Sequence, residues 1–161
     1  MADNYLEQLV SEWYSYKGYF IRQNVHVGKR TKGGYECELD VIAFHPQKQH
    51  LVHIEPSMDT DSWATRETRY KRKFEAGMKH IPGLFKGFKI PKKIEQIALF
   101  AYASSKNHPF IGGGKVLTVR EVFQQIATEL EGKKVATEIV SQSLPILRTI
   151  QFMREYQQAD C

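Results

Sequence analysis

The chain has 161 residues, 42% of them apolar and 25% charged, with a net charge of +5. That length suits one domain around one core, and no apolar run approaches the ~18 residues that a membrane-spanning helix needs. Met1-Ala2-Asp3-Asn4 lacks the basic-then-apolar order of a signal peptide. The two cysteines, Cys37 and Cys161, make no disulfide framework, so a reducing, cytoplasmic location is expected.

The charge is unevenly distributed. Met1 to Asp61 carries 6 basic and 9 acidic residues, Arg66 to Lys93 carries 10 and 2, and Ile94 to Cys161 carries 7 and 7. A basic stretch beside a carboxylate-rich one suits a metal-using enzyme on a polyanion. The plainer alternative is a solvated helix face.

In chain order, residues 4–17 read as a helix. Asp3 or Asn4 caps it, Tyr5, Leu6, Leu9, Val10, Trp13 and Tyr16 form its apolar stripe, and Gly18 ends it. Strands are expected over 19–27, 35–44 and 49–55. The first two are joined by a hairpin carrying Lys29, Arg30 and Lys32, the last two by a turn at His45-Pro46-Gln47-Lys48. The third strand is almost wholly apolar, as a central strand is. A long helix follows over 59–79, capped by Asp59, Thr60 or Asp61 and broken at Pro82-Gly83. Lys86 to Lys93 is a basic connector, and 94–103 is a fourth apolar strand. Gly112-Gly113-Gly114 reads as flexible punctuation and not as a phosphate-binding loop, because no Gly-Lys-Ser/Thr follows. A short strand at 115–118, a helix over 118–130 with the Thr118/Glu121 capping box, and a helix over 144–156 complete the chain. This order implies an α/β fold with a mixed central sheet flanked by helices.

The chemistry concentrates in Glu38-Leu39-Asp40-Val41-Ile42-Ala43 and His50-Leu51-Val52-His53-Ile54-Glu55-Pro56-Ser57. In a hairpin about the Pro46 turn, residues whose numbers add to about 95 lie opposite each other. Asp40 and Glu55 are such a pair, with Cβ atoms on the order of 5 Å apart. Two carboxylates that close repel unless a cation lies between them. Mg²⁺ accepts such a pair together with water and phosphate oxygens, and it can activate a water against a phosphodiester. The alternative is a hairpin rim with two ordinary acids, against which the apolar run before Glu55 argues.

These motifs, in the order helix, strand, "Glu-Leu-Asp-Val-Ile-Ala", hairpin, "Val-His-Ile-Glu-Pro-Ser", helix, strand, resemble the PD-(D/E)XK nuclease superfamily. Holliday-junction resolvases, Mrr-type enzymes and many restriction endonucleases belong to it. The resemblance covers about residues 4–103. It implies a restriction-endonuclease-like αβββαβ core, with 104–161 as a mainly helical C-terminal extension. It implies metal binding by Asp40 and Glu55, joined by the Pro56 carbonyl, with Mg²⁺ as the cofactor and Mn²⁺ as a substitute. It also implies a first-helix glutamate, for which Glu7 is the better match and Glu12 the second. The family lysine two residues after the second acid is Ser57 here. Lys71 and Lys73 of the next helix are candidates to replace it, as are Arg66 and Arg69.

Arg66, Arg69 and Lys73 share a helix face. With Arg72, Lys29, Arg30 and Lys32 they are the candidate nucleic-acid contacts, while Trp63, Tyr70 and Phe74 read as core. His45, His50 and His53 lack zinc-site spacing; His53 reads as a satisfied strand residue, with a role as a partner of Glu55 as the alternative. Cys37 has no partners for thiol catalysis. The leading expectation is a Mg²⁺-dependent endodeoxyribonuclease acting on DNA, with a homodimer left open and no membrane partner. A nucleic-acid-binding module of the same fold without activity is the second reading. A structural or assembly protein is the third.

Overall fold

The computed structural model describes residues 4–158. Asp3 and Cys161 lie outside the described residues. The elements are α1 (Tyr5–Tyr16), β1 (Phe20–Lys29), β2 (Tyr35–His45), β3 (His50–Ser57), α2 (Trp63–Leu84), β4 (Ile94–Phe100), β5 (Phe110–Ile111), β6 (Gly114–Thr118), α3 (Val119–Glu129) and α4 (Pro145–Gln158). The strands form one six-stranded mixed sheet in the order β1-β2-β3-β4-β6-β5. β1, β2 and β3 are a meander of antiparallel hairpins. β3 runs parallel to β4, and β4 to β6. The first of these parallel pairs requires the long crossover that α2 supplies.

Helices cover both faces. Leu6, Leu9, Val10 and Trp13 of α1 pack with Val122 and Ile126 of α3 and Leu147 of α4 on one face of β2, β3 and β4. Tyr5, expected in the same stripe, is 49% exposed and lines a groove beside α4. On the other face α2 buries Tyr70 and Phe74 against Ala98, Phe100, Ile111 and Val116, and Ala76 and Ile81 against Leu39, Ile42, Phe44 and Leu51. Tyr70 and Phe74 are therefore core residues. Trp63 is half-buried between Phe100 and His108.

Several boundaries differ from expectation for local physical reasons. α2 begins at Trp63, because Ser62 accepts the Thr65 N–H and acts as the cap. Asp59 is occupied elsewhere, by Ser57 and Arg66. Pro82 does not break α2: it sits in the last turn, and the helix ends only at Phe85, whose N–H donates to the Pro82 carbonyl. The run Gly112-Gly113-Gly114 is not loose punctuation. It is the tight turn of the β5–β6 hairpin, pressed onto α2. A Cβ on Gly112 would come 2.4 Å from the Lys71 backbone nitrogen, and one on Gly114 2.3 Å from the Phe74 ring. Only glycine permits that approach.

Glu12, the second candidate for the first-helix acid, has a structural task. It is 5% exposed, and its carboxylate accepts the Ile146 and Leu147 N–H groups at 2.8 and 3.0 Å. These are otherwise unpaired donors in the first turn of α4, where a negative charge is also favoured. Glu12→Ala is expected to lower stability by about 2 kcal/mol, because it leaves two amides without an acceptor. The readout is a fall in the urea midpoint at unchanged m-value.

Candidate functional site

The ladder between β2 and β3 ends at Val41 opposite Ile54. Beyond that point β2 continues beside β1 to Tyr35, and β3 beside β4 to Ser57. The sheet forks there, and Asp40 and Glu55 are the first residues past the fork. The Asp40 N–H, left without a strand partner, donates to Glu55 Oε1 at 3.2 Å. Pro56 follows and has no N–H to offer. The inward alternation of β2 also changes at this place. Val41 and Ala43 pack towards α1, whereas Cys37 and Leu39 pack with Ile42 and Phe44 towards α2. Asn24, beside Asp40 on β1, has φ +52°, and its left-handed backbone marks the same break.

Lys73 of α2 completes the pair of acids. Its ammonium donates to Asp40 Oδ1 at 2.8 Å and to Glu55 Oε2. The two carboxylates share one cation in a place where Glu55 is only 1% exposed. Burial and the neighbouring Glu55 charge raise the Asp40 carboxyl to about 7, against the lowering effect of Lys73. Burial works against the Lys73 charge, but Glu55 and Asp40 outweigh it and hold the ammonium firmly protonated.

Glu55 is fixed by two further partners, His53 and Tyr70. His53 Nε2 lies 2.7 Å from Glu55 Oε1, and Gln96 Nε2 approaches His53 Nδ1 at 3.4 Å while donating to the Phe74 carbonyl. Burial, then the Lys73 charge, lower the His53 pKa to about 3, so the ring is neutral. With Gln96 donating to Nδ1, the ring proton is on Nε2 and is given to Glu55. The Tyr70 hydroxyl donates to the Glu55 backbone carbonyl at 3.1 Å. Gly77 makes room for the imidazole, since a Cβ there would lie 2.4 Å from His53 Nδ1.

The remaining candidates separate clearly. Glu7, in the first turn of α1, is close enough to Asp40 and Lys73 to feel both; burial, then Asp40, raise its pKa. The Pro56 carbonyl is at the same end of β3, 3.5 Å from Asn4 Nδ2. Ser57, two residues beyond Glu55 on the same strand face, gives its hydroxyl to Asp59 and makes no bond to Asp40 or Glu55. Lys71 is exposed, with its backbone against the β5–β6 turn, so it does not join Asp40 and Glu55. Arg66 is 5% exposed and clamps Asp59 Oδ1, the Asp59 carbonyl and the Tyr102 carbonyl. Arg69 is held by Asp59 and Asp61. Both arginines, expected to meet phosphates, are paired with acids of the preceding loop, Arg66 in a buried place and Arg69 in a partly exposed one. Lys29, Arg30, Lys32 and Arg72 are exposed, and the β1–β2 hairpin is tied to α2 by Glu36 with Lys79 and His80. Cys37 is buried, and burial pushes its thiol pKa up, which suits no nucleophile.

Sequence reasoning undervalued His53 and did not see Tyr70, Gln96 or Asp59 as parts of this arrangement. Two spacings carry a signal: His53 and Glu55 share a strand face, and Tyr70, Lys73 and Gly77 recur three and four apart on one helix face. Nothing local marks Gln96 or Asp59.

As donors, Asp40, Glu55 and the Pro56 carbonyl are hard oxygens at one end of β3. Two of them already converge on a single cation, the Lys73 ammonium. That donor set fits a divalent ion that keeps several waters. Among the described residues no group of three or more His, Cys, Asp or Glu side chains could hold a metal, so the protein would supply only a sparse set. No protein-family model matches the chain, and no curated protein matches it.

Gly77→Ala is expected to lower stability despite the better helix propensity of alanine, because displacing His53 outweighs the ~1 kcal/mol helix gain; a raised melting temperature would contradict this. Asp59 gives a pH signature. Burial pushes its carboxyl up, but Ser57, Arg66, the Asp61 N–H and Arg69 hold it at about 2. Its contribution is therefore complete above the ordinary aspartate value of about 4 and is lost as pH falls through about 2. The stability difference between the native chain and Asp59→Asn is expected to shrink over that interval in acid unfolding curves.

Proposed function

We propose that the protein is a divalent-metal-dependent nuclease of restriction-endonuclease-like fold, acting on DNA phosphodiesters. One observation carries the reading: the ammonium of Lys73 stands between Asp40 and Glu55. In this reading Lys73 would stand in, from a helix instead of a strand, for the lysine of the resembled pattern that Ser57 replaces. Asp40, Glu55 and the Pro56 carbonyl would hold the ion, which when bound supplies a Lewis acid for water and phosphate. Lys73 places a fixed positive charge where a phosphodiester gains negative charge, in surroundings drier than water. His53 keeps the Glu55 carboxylate from rotating away, and Tyr70 holds its backbone carbonyl. Glu7 adds a carboxyl with a raised pKa at the rim, suited to accepting or returning a proton.

A second reading, a DNA-binding module that does not cleave, has one observation in its favour. Lys73 already bonds to both acids, and the raised pKa of Asp40 lets a proton offset the second negative charge, so the pair is held without an ion. Cleavage of supercoiled, single-stranded and branched DNA with Mg²⁺ or Mn²⁺ separates the two. Asp40→Ala and Glu55→Ala are expected to abolish metal-dependent cleavage. Lys73→Met is expected to lower it by about 10²–10³-fold, with Lys71→Met within about twofold of the native rate. Cleavage that persists in Asp40→Ala sinks the proposal. Salt-sensitive binding with no cleavage by the native chain selects the second reading.

A further inference from the structure

The basic stretch at the other end of the sheet takes no part in the carboxylate site. The nine residues from Phe85 to Lys93 contain four lysines and no acid. Lys86, Lys89, Lys92 and Lys93 are all exposed or half-buried, and among the described residues none is in an ion pair. The segment is nevertheless anchored. Phe85 packs edge-on against Phe44 at 5.3 Å, and Ile90 lies against the α2-side core. The Gln49 amide donates to the Lys89 carbonyl at 3.2 Å. That bond fastens the segment to the β2–β3 turn, where Lys48 adds a further exposed charge. Phe88, beyond the Gly87 turn, projects outward and is 67% exposed among these lysines. Of the nearby acids, Glu95 is taken up by His50 at 2.7 Å, and Glu129, close enough to Lys48 to feel its charge, by Lys133 at 2.8 Å.

Charges that only keep a protein in solution are mixed in sign. A held, single-sign surface around one outward aromatic has a narrower use. We infer that Lys48, Lys86, Lys89, Lys92 and Lys93 form a second nucleic-acid contact, which takes a single-stranded backbone and stacks an unpaired base on Phe88. The lysines neutralise phosphates whatever the sequence, and the ring offers the face that every base can use. A membrane surface fits less well, because the outward neighbours of Phe88 are lysines and not an apolar face. The contact begins beside His50, and Glu55 lies five residues further along β3, about 16 Å at ~3.3 Å per residue. A strand could therefore reach both places. Binding of this kind does not require cleavage.

The test uses the full chain in EDTA, so that no metal chemistry intervenes. Fluorescence anisotropy follows a labelled 20-nucleotide single strand and a blunt duplex over a salt series. The combined Lys86→Gln, Lys89→Gln and Lys92→Gln variant is expected to bind the single strand at least about 10-fold more weakly at 100 mM salt. Its slope of log K against log salt should fall by about 2, from three lost contacts. Phe88→Ala is expected to weaken single-strand binding at least about fivefold and duplex binding less than about twofold. Circular dichroism of both variants should match the native chain, because every altered side chain is at the surface. Unchanged affinity and slope in the triple variant overturn the inference. So does a native chain that binds phosphatidylserine vesicles and not DNA. A Phe88→Ala variant that binds like the native chain removes the stacking. Cleavage is measured separately with Mg²⁺: patch-dependent binding without cleavage sinks the nuclease reading and leaves this one standing.

Discussion

Two carboxylates and one ammonium, brought together where two strands part, set the terms for the rest of the molecule. Asp40 and Glu55 are neighbours because β2 and β3 pair up to Val41 and Ile54 and no further. So close in a buried place, they are tolerable only with a positive charge between them. Lys73 supplies it, and α2 must therefore lie at one height and one rotation over the sheet. The close approaches agree with that demand. Gly77 admits His53, Gly112 and Gly114 seat the β5–β6 turn against α2, and Tyr70 reaches the Glu55 carbonyl. Each glycine stands where a methyl group would push α2 off the ammonium's position.

The same logic sorts the basic residues. α2 is rich in cations, but a cation is available to a ligand only if no acid inside the protein has claimed it. Asp59 and Asp61 claim Arg66 and Arg69, and Glu36 claims Lys79. Positive charge left to solvent includes that of the β1–β2 hairpin, of Lys71 and Arg72, and of the turn between α2 and β4. The spent arginines fix the chain that follows β3, since Arg66 joins the Asp59 loop to Tyr102 beyond β4. They therefore hold in place the end of the sheet where the acids stand.

The candidate site was partly legible in the sequence. Asp40 and Glu55 could be paired from residue numbers alone, because a short turn at Pro46 makes register simple arithmetic. Lys73 was one of four substitutes for the missing lysine, and helix periodicity could not choose among them. The choice depends on which face of α2 meets the fork, and that is set by the β5–β6 hairpin, whose Gly112 and Gly114 admit the Lys71 backbone and the Phe74 ring. His53 read as an ordinary strand histidine, because its partners lie on three elements: Glu55 on its own strand, Gln96 on β4, and the space left by Gly77 on α2. Glu12 read as the second choice for the first-helix acid, because nothing near it in sequence reveals that α4, more than 130 residues later, would begin on its carboxylate.

The sequence alone determined the order and type of the main elements, the apolar faces of α1, α2 and β3, the Thr118 cap, and the register that brings two acids to the place where neighbouring strands part. All of these are set by residues within a few positions of one another, by periodicity, capping or a tight turn. Tertiary structure alone decided which cations remain free, where Glu12 and Asp59 are spent, and that the three glycines mark a packed turn. It also decided that a helix lysine stands between the acids. Those outcomes depend on contacts between residues tens of positions apart, whose geometry exists only once α2 has crossed the sheet and the C-terminal helices have closed over α1.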